Sequence, residues 1–234
     1  MRSKVDESAI RWTTQLSSHL TQNLASIAQR KALKGSQLNN SNLLNQGVNF
    51  LEQGTLAVCI QTPNLKTANC LVIGTGGWFG NYSDNRTSLS SFVFIEIEPC
   101  RVINFDNTSL RQLAKSHDEI YKWFYSLTFE SRDKWLQSQL INSESILVRV
   151  VYQLIEILVH KGIKTEPLSL AISQQQLSEM TGIARQRVNE VLKRLERENS
   201  IKLNRVEILI LDLPQLFLHL DGIDLSLRDP RNFI

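Results

Sequence analysis

The spacing of hydrophobic positions changes several times along the chain, and each change marks a part of it. From Ala9 to Ala28, Ile10, Leu16, Leu20, Leu24 and Ile27 recur at a mostly helical spacing. This predicts a helix started by Asp6 or Ser8 and finished before Lys34-Gly35-Ser36. Between Leu43 and Phe105 the texture becomes short apolar runs: Val48–Leu51, Leu56–Ile60, Leu71–Ile73, Phe92–Ile97 and Val102–Phe105. Turn residues separate them, including Gln53-Gly54, Pro63-Asn64, Gly74-Thr75-Gly76-Gly77 and Glu98-Pro99. Short strands so regularly spaced predict a compact all-β sandwich or jelly roll.

After Asn107 the pattern returns to helix. Ser109 to Ile141 contains no glycine or proline and predicts one long helix with apolar residues at Leu110, Leu113, Ile120, Trp123, Phe124, Leu127, Trp135, Leu136 and Leu140. These positions cover more than one narrow stripe, so the helix packs either on its own β-domain alone or on a second subunit as well. Asn142-Ser143-Glu144-Ser145 reads as a break and a hinge. Ile146 to His160 follows as a second, strongly apolar helix ended by Lys161-Gly162, and the pattern after it is that of a different domain.

The stretch from Ile172 to Asn199 carries the chemistry. Ser173 and Gln176 form an S-x-x-Q capping box at the start of a short helix whose inward residues are Leu177 and Met180. Gly182 suits the left-handed corner of a helix-turn-helix, and Ile183 plugs it. Val188, Val191, Leu192 and Leu195 then lie at i, i+3, i+4 and i+7 on a second helix. Its other face presents Arg185, Gln186 and Asn189, side chains able to read base edges in a major groove. Arg187, Lys193, Arg194 and Arg197 flank them with positive charge where phosphates would lie, with Ser173, Gln174 and Gln175 at the start of the first helix. Glu190 and Glu196 are the acids that offset the charge within the second helix. Ile201-Lys202-Leu203 and Val206 to Ile210, joined by Asn204-Arg205, read as a β-hairpin wing. The bland reading of the basic residues is a solvated helix face. Turn glycine, apolar spacing and base-reading residues together favour a winged helix-turn-helix that binds double-stranded DNA.

Composition narrows the alternatives. The 234 residues are 42% hydrophobic and 21% charged, which suits two modest domains with real cores. A formal net charge of +3 permits a nucleic-acid partner without demanding one, so the local basic surface carries the case. Cys59, Cys70 and Cys100 are isolated and predict buried thiols in a reducing compartment. The four histidines are scattered, with no metal-ligand spacing, and no metal or other cofactor is expected. No G-x-S-x-G elbow, P-loop or paired histidines point to an enzyme. Arg149 and Glu156 interrupt the greasiest segment and no leader pattern is visible, so a cytoplasmic protein without a membrane partner is expected.

The sequence resembles the CRP/FNR family of bacterial transcription regulators over roughly Lys31 to Leu216. Ile172-Ser173-Gln174-Gln175-Gln176-Leu177 and Gly182-Ile183-Ala184-Arg185-Gln186-Arg187-Val188 resemble that family's helix-turn-helix. Phe50-Leu51-Glu52-Gln53-Gly54-Thr55-Leu56 is similar to the strand and turn before its ligand pocket, and Gly77-Trp78-Phe79-Gly80 to the start of its phosphate-binding cassette. The resemblance implies an α+β chain. Residues 1–108 would form an effector domain with a cyclic-nucleotide-binding-like β-barrel, and 109–142 a long dimerisation helix. Residues 143–220 would form the winged helix-turn-helix, and 221–234 a tail. It implies a homodimer on DNA, with RNA polymerase as a further partner, and favours Phe124 and Leu127 as residues of the subunit interface.

The chain also departs from the family. Asn81 follows Gly80 where cyclic-nucleotide binders have a glutamate, and Ser90-Ser91 stand where they have an arginine–serine pair. A phosphate buried there without a cation would be poorly compensated. Arg86 lies nearby, but nothing in its spacing requires it for this role. The expected pocket of Gly80, Asn81, Ser90 and Ser91 therefore does not take cyclic AMP, and the effector is unknown. No cysteine cluster precedes Cys59 to hold an iron–sulfur centre, and no residue is diagnostic of haem in a ligand- or haem-sensing alternative. Gln186 replaces the family's glutamate and Glu190 its second arginine on the recognition helix, so the operator is expected to differ from the usual half-site.

Overall fold

The computed structural model describes residues 5–33, 47–62, 67–80, 82, 92–161, 168–205 and 207–234. The chain divides into two units, residues 1–56 with 73–133 and residues 57–72 with 134–234. The apolar runs expected as short strands join into longer ones. Strands β1 (Gln29–Ala32), β2 (Gly47–Gln61), β3 (Thr67–Gly74), β4 (Trp78–Gly80) and β5 (Phe92–Asp106) form one sheet in the order β1-β5-β2-β3, with β4 paired to β2. β1 runs antiparallel to β5 with Gln29 opposite Asn104, and β4 antiparallel to β2 with Phe50 opposite Trp78. The glycine and proline inside the long strands act as bends, not breaks. Gly54 has φ +94°, and a Cβ there would lie 2.4 Å from the Pro99 carbonyl oxygen of β5. Only glycine lets the two backbones approach so closely.

In the first unit the N-terminal segment is less helical than its spacing predicts. Asp6 caps a 3-10 turn over Glu7–Ala9, and helix α1 begins only at Ser18 (Ser18–Ile27), behind the N-cap Ser17. The residues between run through the aromatic core. The Arg11 carbonyl accepts a hydrogen bond from Trp78 Nε1 at 2.8 Å, and Thr13 shares a hydroxyl contact with Ser126 at 2.5 Å. These tertiary contacts hold the segment in an extended path outside any helix. Trp12, Phe50, Trp78, Phe105 and Trp123 fill this core, with ring centroids 5.0–6.2 Å apart.

The stretch expected as one helix from Ser109 is two. Helix α2 covers Asn107–Ala114 with Asp106 as its N-cap, and α3 covers Glu119–Ile141. Between them the backbone tightens into i→i+3 bonds from Lys115 to Gln112 and from Ser116 to Leu113. The break lets Leu110 and Ala114 on α2, and Ile120 and Trp123 on α3, all reach the same core. Phe124 and Leu127, expected at a subunit interface, are half-buried and pack partly against this core, and Phe124 stacks on Tyr82 at 4.1 Å. The exposed apolar residues of α3 are Tyr121, Tyr125, Phe129, Leu136 and Leu140.

In the second unit, α4 (Ile146–Lys161) follows a turn at 142–145, and its residues from Val150 to Leu158 are all buried. Against it pack α5 (Gln174–Thr181), α6 (Arg185–Arg197) and a small antiparallel sheet, and α7 (Leu213–Leu218) follows that sheet in the chain. That sheet has the order β6-β8-β7, from Leu168–Leu170, Ile208–Ile210 and Ile201–Leu203. The expected helix-turn-helix and wing are both present. The C-terminal segment folds back: Gln137 Nε2 on α3 donates to the Asp224 carbonyl, and the Arg228 amide donates to Gln137 Oε1. The Arg228 guanidinium then pairs with the buried Glu156 of α4 at 2.8 and 3.2 Å.

Candidate nucleic-acid interface

The helix-turn-helix is built from locally consistent pieces. Ser173 Oγ accepts the Gln176 amide at 3.1 Å while Gln176 Oε1 accepts the Ser173 amide at 2.9 Å, so two orphan N–H groups of α5 are satisfied. α5 ends on Gly182 in the left-handed region, φ +66°. Ser178 Oγ donates to the Ile183 carbonyl at 2.7 Å and Thr181 Oγ1 to that of Leu177 at 2.7 Å, fixing the corner. Thr67 at the start of β3 donates to the Glu179 carbonyl, and a Cβ on Gly182 would come within 2.6 Å of the Thr67 carbonyl oxygen. On α6, Val188, Leu192 and Leu195 are buried and Val191 is partly so, as the apolar spacing predicts.

The remaining face of α6 is open. Arg185, Gln186, Arg187, Lys193 and Arg197 are exposed, and Asn189 is half-buried beside α5. The helix carries five basic residues against two acidic ones. Local pairs use part of that charge: Arg187 lies 3.7 Å from Glu190, and Gln186 Nε2 is 3.4 Å from Glu190 Oε1. The second acid is turned elsewhere, because Glu196 accepts the Leu203 amide at 2.9 Å and so fastens the wing to the helix. Glu198, one residue beyond α6, binds Arg194 at 2.8 Å and His219 at 2.9 Å, and these partners hold its carboxyl below the usual range. Arg194 therefore stands exposed with part of its charge met by Glu198. Arg185 makes no ion pair among the described residues, and its guanidinium is free to meet a ligand.

The three glutamines at the start of α5 divide by role. Gln176 completes the cap, and Gln175 Nε2 donates along its own helix to Glu179 at 2.8 Å. Gln174 Nε2 crosses to the other helix and donates to Asn189 Oδ1 at 3.1 Å. Sequence spacing carries no signal for this contact, nor for the Glu198–His219 and Glu156–Arg228 pairs, because the partners lie 15, 21 and 72 residues apart. The Arg194–Glu198 pair, at i and i+4, was within reach of sequence reasoning.

Of the expected effector pocket, Asn81, Ser90 and Ser91 lie outside the described residues, as does Arg86. Gly80 has a structural explanation. It has φ +100°, and a Cβ there would meet the Gly47 carbonyl oxygen of β2 at 2.3 Å. Its neighbours Trp78 and Phe79 are buried.

Residues 148–217 match the family model of the Crp-like helix-turn-helix domain. No curated protein matches the chain. Among solved structures, a protein of Eubacterium rectale assigned to the crp/fnr family of transcriptional regulators is 16% identical, with a TM-score of 0.65 over 87% of this chain and 94% of that one. The c-di-GMP-responsive global regulator CLP of Xanthomonas campestris is 13% identical, with a TM-score of 0.59 over 83% and 99% of the two chains. A CRP/FNR-family transcriptional regulator of Thermus thermophilus is 16% identical, with a TM-score of 0.57 over 76% and 89%. The chain therefore carries a Crp-like helix-turn-helix domain and has the fold of the CRP/FNR-family transcriptional regulators.

Proposed function

We propose that this protein is a sequence-specific DNA-binding transcription regulator acting as a homodimer, with α6 as the helix that enters the major groove. The observation that carries this reading is the exposed edge of α6. Arg185 stands unpaired in its first turn, Asn189 lies one turn on, and Val188, Leu192 and Leu195 root the opposite side in the core. An arginine there reaches guanine O6 and N7, while Lys193 and Arg197, two to three turns along, meet phosphates. Ser173, at the exposed start of α5, is placed as a further backbone contact. Gln175, tied to Glu179, contributes only if that bond opens.

Two copies address two half-sites if α3 provides the dimer contact. Its exposed residues Tyr121, Tyr125, Phe129, Leu136 and Leu140 recur at helical intervals on a helix of 23 residues. The N-terminal unit acts as a scaffold or takes an effector other than cyclic AMP. Its aromatic core around Trp78 is filled by its own side chains. Contact with RNA polymerase belongs to the same reading.

The test is a binding titration on a selected operator and on random DNA at several salt concentrations. Loss of a base contact costs roughly 1–3 kcal/mol at one position. Arg185→Ala is expected to flatten discrimination between the two DNAs. Lys193→Ala should weaken both and make the salt slope shallower, since fewer counterions are released. Equal loss on both DNAs for Arg185→Ala would show that α6 does not read bases.

A further inference from the structure

We infer that Gln174 is a positioning residue that sets which edge of the Asn189 carboxamide faces the DNA. The inference rests on the reading of α6 as the recognition helix. A carboxamide has two faces with opposite chemistry: its oxygen only accepts and its NH2 group only donates. An asparagine free to rotate about its last torsion can offer both to adenine, or either one to other bases. Asn189 is not free in this way. Gln174 Nε2 donates to its Oδ1 at 3.1 Å, and both side chains are half-buried between α5 and α6. The donor is itself well anchored, since Gln174 is the first residue of α5, inside the capping box of Ser173 and Gln176, and Gln175 and Gln176 are engaged elsewhere.

With its oxygen directed at Gln174, the amide turns its NH2 group outward along the open edge of α6. Asn189 then leads with its donor and selects an acceptor on the base: guanine O6 or N7, adenine N7 or thymine O4, against cytosine, which offers only a donor. One lone pair of its oxygen is taken by Gln174, so the two-point contact with adenine that a free asparagine makes is weakened. The half-site position read by Asn189 is therefore set by a residue on the first helix, which itself need not touch a base.

The experiment selects binding sequences from a randomised duplex library with the full-length protein. It then titrates all four bases at each half-site position for the wild type, Asn189→Ala, Gln174→Ala, Gln174→Glu and the double variant Gln174→Ala/Asn189→Ala. Asn189→Ala identifies the position it reads, where the wild type should prefer a base with an acceptor. Gln174→Ala should lose roughly fivefold or more of the discrimination at that position alone, a single hydrogen bond's worth. It should add nothing in the Asn189→Ala background. Gln174→Glu replaces the donor by an acceptor, so the asparagine must turn its NH2 group inward and present its oxygen. The preferred base at that one position should move toward cytosine, which offers only a donor there. Melting temperatures and salt slopes of Gln174→Ala should match the wild type, which a merely structural role would not predict.

A wild-type preference for cytosine at the Asn189 position would overturn the inference. So would intact discrimination in Gln174→Ala, or a loss spread evenly over all positions. If Arg185→Ala still flattens specificity in those cases, the regulator reading stands and only the role of Gln174 falls. Failure of the wild type to select any sequence sinks both.

Discussion

At the scale of single residues, the most consequential charge is one that sequence reading passes over. Glu156 sits inside α4, where burial raises its pKa but His160 and Arg228 more than reverse this, leaving it at about 2. A carboxylate whose folded pKa lies below its unfolded value of 4.5 stabilises the fold above that value, and this is lost as pH falls toward the folded pKa. The predicted window is therefore between about pH 4.5 and 2, and the loss is about 3 kcal/mol. His160 acts earlier in the same direction. Burial lowers its pKa below 6.5, so the unfolded chain binds a proton that the folded chain resists as pH falls past that value. Its Nε2 lies 3.3 Å from a carboxylate oxygen of Glu156. Chemical denaturation between pH 7 and 2 should show stability falling in both windows. Glu156→Gln should remove most of the lower one, and an unchanged acid limb in that variant would refute the assignment.

Arg228 shows what the same pair does for an element. It ties the C-terminal segment to α4, while its backbone amide holds Gln137 of α3. Removing one partner of a buried ion pair leaves the other charge uncompensated and costs about 3–5 kcal/mol. Arg228→Ala should therefore lower the melting temperature far more than Arg231→Ala, whose partners Asp221 and Asp229 are more exposed. Combining Arg228→Met with Glu156→Leu should recover much of the loss, because no buried charge is then stranded. A loss in the double variant equal to the sum of the singles would refute the coupling. At the same scale, Gly54→Ala should destabilise the protein by about 2 kcal/mol or more. It adds a strained positive φ to a collision with the Pro99 carbonyl between β2 and β5. Full stability in that variant would show that the long strands separate easily at their bends.

For the whole molecule, the expected outcome is a dimer in solution. Tyr125 is 69% exposed and Phe129 49%, more than side chains serving only the chain's own core would be. Tyr125→Glu with Phe129→Glu should give monomers by sedimentation with little change in melting temperature, and with much weaker operator binding. Phe124→Glu should instead damage the fold, because that ring stacks on Tyr82 within the core. A wild type that sediments as a monomer at micromolar concentration would remove the dimer from the reading. Calorimetry with cyclic AMP and cyclic GMP should show no tight binding. A clear gain in DNA affinity on adding either nucleotide would sink that expectation.

What the sequence by itself determined is local. The capping box at Ser173, the left-handed corner at Gly182, the stripe of Val188, Leu192 and Leu195, and the wing all depend on residues a few positions apart. Propensity and periodicity act over that range, so the helix-turn-helix domain was legible and its exposed edge could be named. Tertiary structure decided whatever needed a distant partner. The helical spacing after Ala9 yielded to a Trp78 bond on the Arg11 carbonyl, and an unbroken helix from Ser109 yielded to a core that both halves had to reach. Glycine and proline in β2 and β5 bend paired strands instead of ending them, because each strand is held by its neighbour through the bend. Which face of α3 is exposed, which glutamine crosses to Asn189, and where Glu156 finds its cation are likewise settled by packing between segments far apart in the chain. Burial and pairing across such separations leave no period in the sequence, and for that reason only the folded chain reveals them.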